Sequence, residues 1–328
     1  MRTADFFAGV GGVRLGLEQA GFKNVFSNDF DKFCKITYDL NSRQVKQTLA
    51  DIRNIKGSDI PDFDLLAGGF PCQAFSVAGY RDGFEDKKGR GNLFFEILRI
   101  IDEKKKKPEI IFLENVKNLI GHDSGNTYKI IKRDLESFGY AVTERVLNSM
   151  HYGKIPQTRE RVYIIGFKHS ETFHRFEWPE PATLDITFHD CLEEQVDSRF
   201  YYNNKPLYHR LRESILNKDT VYQWRRKYVR ENKKRVCPTL TANMGTGGHN
   251  VPIIKDSFGI RKLTPSECFR LQAFPRSFKL PPEMADCHLY KQAGNSVTVS
   301  VIRSIAENIR KAVEGVNLKR GQLELQID

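Results

Sequence analysis

Short, mainly apolar runs alternate with stretches of helical periodicity through the first half of the chain. Val25-Phe26-Ser27-Asn28, Phe63 to Ala67, Ile110 to Leu113 and Val162 to Phe167 are the runs; Gly68-Gly69 closes the second and Pro108 precedes the third. They predict strands. Between them Leu93, Phe94, Ile97 and Ile101 recur at helical spacing, as do Tyr128, Ile131, Leu135 and Phe138. Fully apolar strands separated by amphipathic helices imply a sheet covered on both faces, a doubly wound α/β domain. Past about residue 168 the pattern breaks. Pro179-Glu180-Pro181 reads as a linker, and residues 180–257 are polar and weakly periodic, which predicts a smaller irregular domain. Order returns at Arg261: Thr264-Pro265-Ser266-Glu267 is a capping box with Pro at the first helical position. Val297 to Val313 reads as a closing helix. The expected division is 1–178, 179–260, a return to the first domain over 261–316, and a loose tail over 317–328. Lys104 to Lys107 reads as a frayed helix end.

Composition narrows the classes. With 328 residues, 40% hydrophobic and 28% charged, the chain can bury a sizeable core and is not disordered. No apolar run approaches a membrane span, and the N-terminus lacks the apolar region of a signal peptide. A cytoplasmic location is expected. Six cysteines form no C-x-x-C pair, so they read as reduced thiols, and no metal-ligand cluster is visible. The net charge of +11 calls for a polyanionic partner. From Lys205 to Arg235 there are eleven Lys/Arg against three Asp/Glu, interleaved with Tyr208, Tyr222, Trp224 and Tyr228. Rings stack on bases and cations pair with phosphates, although such a segment alone reads equally as a solvated helical face.

Three constellations carry candidate chemistry. The first is Asp5-Phe6-Phe7-Ala8-Gly9-Val10-Gly11-Gly12, a glycine-rich turn between a short strand and a helix. It lets backbone approach a ligand, and Asp29, at the end of the next strand, is placed to bind a ribose hydroxyl pair. Phe30 offers a ring to adenine, and Asp51-Ile52 a carboxylate and apolar edge to the same base. NAD, FAD and S-adenosylmethionine all fit, and turn capping is the bland alternative for both aspartates. The second is Gly68-Gly69-Phe70-Pro71-Cys72-Gln73, a rigid loop after a buried strand, where open α/β sheets place their chemistry. Cys72 is a candidate thiolate nucleophile there. The third pairs Glu114, directly after four apolar residues, with Arg159 and Arg161. Partial burial would raise the glutamate's pKa and let it hold a proton near neutrality. Strand alternation sends both arginines to one side. A salt-bridge network is the bland alternative.

Together, in this order, these segments resemble the C5-cytosine DNA methyltransferases, especially the compact bacterial enzymes of restriction–modification systems. The matching stretches are Asp5 to Gly12; Asn28-Asp29-Phe30-Asp31; Gly69-Phe70-Pro71-Cys72-Gln73; Glu114-Asn115-Val116; Gln157-Thr158-Arg159-Glu160-Arg161; Arg261 to Cys268; and Gly294-Asn295-Ser296-Val297. They span roughly residues 3–167 and 258–312, and jointly are very specific. The resemblance implies a Rossmann-like S-adenosylmethionine-dependent fold with a target-recognition domain. It implies that Cys72 attacks C6 of a flipped cytosine, Glu114 binds N3, Arg161 steadies both and Arg159 supports the site. Phe7, Gly9, Gly11, Gly12, Asp29, Phe30, Asp51, Ile52 and Asn295 would meet the cofactor. The loop from Gln73 to Gly91, with Ser76, Arg81, Lys87 and Arg90, would close on DNA. Arg225, Arg226 and the pair Thr239-Leu240 would contact it from the recognition region. Double-stranded DNA is the expected partner, with a restriction endonuclease as functional counterpart and the chain itself a monomer.

One departure is visible. The family has Tyr-Gly followed by a small apolar residue, Pro and Gln, whereas this chain reads Tyr152-Gly153-Lys154-Ile155-Pro156-Gln157, with Lys154 inserted. A β-bulge is the expected way to absorb it. Other readings are a tRNA-directed relative, a non-catalytic DNA-binding regulator and an NAD oxidoreductase. The last explains the glycine turn but neither Pro71-Cys72 nor Glu114-Asn115-Val116.

Overall fold

The computed structural model describes residues 1–71, 93–246 and 250–324. Its contacts divide the chain into two compact units. One comprises Met1–Leu147, Glu160–Pro179 and Ile302–Asp328, the other Asn148–Arg159 and Glu180–Val301.

The first unit holds β1 (Arg2–Phe6), β2 (Lys23–Asp29), β3 (Thr48–Leu49), β4 (Leu65–Gly68), β5 (Ile110–Val116), β6 (Ala141–Asn148) and β8 (Glu160–Phe167). Their order across the sheet is β3-β2-β1-β4-β5-β8-β6. The apolar runs are strands because they are buried on both faces: Leu65, Leu66, Ile110, Ile111 and Ile164 are all at or below 1% exposure. The amphipathic stretches are helices over Leu93–Glu103 and Asn126–Ser137. Strands β2, β1, β4 and β5 run parallel, but β8 is antiparallel to β5, from Ile110↔Phe167 to Val116↔Arg161. The sheet is therefore mixed. The segment 149–159 before β8 is shorter than the crossover that a parallel return needs.

Chain order reverses between β1 and β4, and ligands of open α/β sheets bind beyond the strand ends at such a point. The glycine turn, Asp29, Gly69 and Glu114 all lie at those ends. Lys104 is not frayed: it is buried, and its Nζ donates to the Ile60 carbonyl at 2.7 Å.

The second unit contains a four-stranded sheet, β10-β9-β12-β13, made of β9 (Tyr222–Trp224), β10 (Val229–Glu231), β12 (Ile253–Lys255) and β13 (Ile260–Lys262). It also pairs β7 (Gln157–Thr158) with β11 (Cys237–Pro238) in parallel. Leu211, Ile215, Tyr222, Ile253 and Ile260 form a small core. The boundary expected at 261 is not where the contacts divide. β13 pairs with β12, and the buried Arg261 guanidinium binds Glu267 through two 2.8 Å bonds and Asp256 through one of 2.7 Å. These bonds tie 261–301 to the residues before them. The capping box at Thr264 is formed in full. The closing helix runs over Val299–Glu324, beyond its expected end at Val313 and into the stretch expected to be a loose tail.

Candidate active site and DNA-facing surface

After β1 the chain enters left-handed conformations at Phe7 (φ 55°), Gly9 (φ 53°) and Gly11 (φ 89°) before the helix Gly12–Gln19 begins. At Gly11 a side chain would press on the Tyr38 ring at 3.0 Å; at Gly9 it would meet nothing within 4 Å. Gly9 thus borders open space. The turn is braced from outside. The Gly9 N–H donates to Asp29 Oδ2 at 2.8 Å, and Gln47 Nε2 donates to the Gly9 carbonyl at 2.8 Å. Asp29 Oδ1 accepts the Asp31 N–H at 2.8 Å, so the aspartate does cap a turn, while the carboxylate as a whole keeps acceptor capacity for a ligand. Burial pushes the Asp29 pKa up, opposed by those backbone N–H groups. Phe30 beside it is 71% exposed, the disposition of a ring awaiting a flat partner.

Asp51 is held by Arg53 at 2.5 Å, and the guanidinium keeps its pKa below the usual carboxylate range. The Ile52 side chain belongs to the core of the unit. Gly12 is buried as the first residue of its helix. Asn295 ends the helix Asp286–Asn295 in the second unit and is exposed.

At the end of β5, Glu114 Oε1 lies 3.1 Å from Arg161 Nε, both side chains about 85% buried (13% and 15% exposed). A Cβ on Gly69 would sit 3.4 Å from Glu114 Oε2, so the carboxylate lies against the loop that leads to Pro71. Asn115 fixes that loop: its Nδ2 donates to the Phe70 carbonyl at 2.9 Å. Cys72 itself, with Ser76, Arg81, Lys87 and Arg90, lies outside the described residues.

A family model described as C-5 cytosine-specific DNA methylase matches residues 1–311. The chain belongs to that family. Among relatives, the Type II methyltransferase M.Bsp6I of Bacillus sp. (strain RFL6) is 57% identical over 318 residues, 95% of this chain and 99% of the relative. The Type II methyltransferase M.HhaI of Haemophilus parahaemolyticus is 37% identical, covering 94% of each chain. The solved Dnmt2 methyltransferase of S. pombe superposes with a TM-score of 0.73 at 20% identity, covering 97% of this chain and 99% of that one, a likeness of fold.

In this methylase Arg159 and Arg161 have separate partners. Arg161 pairs with Glu114, whereas Arg159, 2% exposed, donates to the carbonyls of Leu240 (2.8 Å), Gly294 (3.3 Å) and Ser296 (2.6 Å). These bonds make it a bolt inside the second unit. Lys154 is absorbed without a bulge. It takes a left-handed conformation (φ 49°) after the helix Ser149–Tyr152, its side chain outside, while Ile155 and Gln157 remain buried. Leu240 is 1% exposed, so its side chain packs inside the unit. Thr239 Oγ1 donates to the Thr158 carbonyl at 2.5 Å and borders a cavity of about 830 Å³ that Arg225 also lines. Arg226 is exposed at the tip of the β9–β10 hairpin (φ 64°). Asn115 and Gln47 escaped the sequence reading. A buried amide directly after Glu114 is the signal for the first; nothing local marks the second. Among the described residues no cluster of His, Cys, Asp or Glu could hold a metal, and no helix is long and apolar enough to cross a membrane.

Proposed function

We propose that this methylase transfers a methyl group to C5 of cytosine at one sequence in duplex DNA, as the modification counterpart of a restriction endonuclease. The observation that carries the reading is the Glu114–Arg161 pair, fixed at 3.1 Å against the loop that ends in Pro71 and Cys72. A site at a sheet edge cannot reach a stacked base, so the target cytosine is turned out of the helix. The Cys72 thiolate adds to C6, which makes C5 an enamine carbon able to take a methyl group. Glu114 binds N3, and a proton held between them takes up the charge that addition places on the ring. Arg161 keeps the carboxylate in register. Loss of the C5 proton and departure of Cys72 end the cycle.

The turn suits S-adenosylmethionine. Open space faces Gly9, Asp29 keeps acceptor capacity for a ribose diol, and the exposed Phe30 ring is available to adenine. When bound, that group supplies the methyl. Phe7, Gly11, Gly12 and Asp51 complete the proposed contacts, with Asn295 assigned by its motif alone. Arg225, Arg226 and Thr239 are proposed to face DNA; Ser76, Arg81, Lys87 and Arg90 are assigned to it by the family pattern. The relatives' Type II names support the restriction–modification setting.

The test is bisulfite sequencing of DNA from a methylation-free host expressing the chain. 5-Methylcytosine confined to one short motif is expected. Unmethylated DNA in the presence of folded protein would overturn the reading and direct the same assay to tRNA.

A further inference from the structure

The second unit's cavity, about 830 Å³, has a lining unlike that of a small-molecule pocket, which is mostly apolar. It draws on both strands of the β9–β10 hairpin and on the Lys233-Lys234 segment after them, and it brings together four cations, one carboxylate (Glu231), amides and hydroxyls. The register explains why. Tyr222, Trp224 and Val229 pack into the unit's core, so alternation turns Gln223 and its cross-strand partner Arg230 to the opposite face. Arg225 shares that face, and its Nη2 donates to Gln223 Oε1 at 3.2 Å. The result is a two-stranded ribbon that carries two guanidinium groups on one face, one of them braced by an amide.

We propose that Arg225 and Arg230 are the guanine-reading residues of this methylase, each donating to O6 and N7 of a guanine in the major groove, with Gln223 as the positioning residue for Arg225. This rests on the DNA reading above. A two-stranded ribbon fits the major groove, and the planar guanidinium matches the acceptor pair that only guanine presents there. Lys233 and Lys234 are compact charges on flexible stems and hold phosphates. The target therefore contains at least two G·C pairs outside the methylated position.

The experiment begins with the motif mapped for the unaltered enzyme. Duplexes carrying single G·C to A·T changes are then compared by kcat/KM for the enzyme and for R225A, R230A, R230K and K234A. The unaltered enzyme should lose about 5- to 150-fold at each guanine read, the range for one bidentate pair. R230A should lose that discrimination at one position and R225A at another, and R230K should not restore it. K234A should bind all sequences more weakly and lower the salt slope by about one. The proposal is overturned if R225A and R230A keep every preference, or if R230K rescues R230A with a uniform loss across sequences, the mark of a phosphate contact. Q223A should weaken discrimination at the Arg225 position alone; no change there would remove its positioning role. Failure of the unaltered enzyme to methylate any DNA would overturn both readings; altered variants alone bear only on this one.

Discussion

Two carboxyl side chains of the first unit are set to different ends by what touches them. Glu114, the carboxyl proposed to bind the base, lies against a guanidinium at 3.1 Å and beside a loop. Its replacement, Glu114→Gln, keeps shape and removes the proton-sharing carboxyl. Methyl transfer should slow by about 10²- to 10⁴-fold in single-turnover kinetics, with cofactor affinity unchanged by calorimetry. A large loss of cofactor affinity would take Glu114 out of the reaction. Asp5 is wholly buried in β1, accepts only a 3.3 Å bond from the Arg14 N–H, and leaves Oδ1 without a partner. Burial pushes its pKa from 3.8 up to about 8, against the pull of the Arg14 N–H and charge. The folded chain thus keeps a proton that the unfolded chain releases near its ordinary value. Asp5 should contribute stability that is complete below about 4 and declines as pH rises through about 8. Urea unfolding at pH 5 and pH 8 should show that slope, and Asp5→Asn should flatten it.

At the scale of elements, close packing dictates glycine where a helix and a turn cross. The helix Asp286–Asn295 crosses the turn Ala242–Gly245 so closely that a Cβ on Gly294 would fall 2.1 Å from the Thr241 carbonyl carbon, and one on Gly245 2.3 Å from the Cys287 carbonyl oxygen. Neither obstacle is a side chain that can swing away. Gly294→Ala should cost upward of about 3 kcal/mol and lower Tm markedly in a thermal scan, even though one methyl is all it adds. What was legible follows from the same geometry. Strands β4, β5 and β8 were visible because both their faces are apolar, and the Thr264 cap because its signal spans four consecutive residues. Strands β9, β10, β12 and β13 were not, since three residues are too few to display a period of two. The Lys154 insertion could be seen, but not that one left-handed residue would take it up. The carbonyls that hold Arg159, 81 to 137 positions away, leave no trace beside it in the sequence.

At the scale of the whole molecule, each compact unit is built from separated segments. Residues 148–159 supply the second unit with strand β7, with Gln157, whose amide donates to the Leu271 carbonyl at 2.7 Å, and with Arg159. A fragment of 180–301 alone should therefore lack these ties. Hydrogen exchange should find β11 and the 294–296 segment unprotected in it, and addition of a peptide spanning 148–159 should restore part of that protection. Cooperative folding of the bare fragment would contradict this account. The same long-range bolt sets a clock on the ribosome. Arg159 is made 137 residues before Ser296, and at about 5–20 residues per second that interval lasts about 7–27 s. Throughout it a guanidinium and a strand edge destined for burial stand in water. The nascent methylase must stay soluble through that wait, and the abundance of charged residues around its unfinished segments is well suited to keep it so.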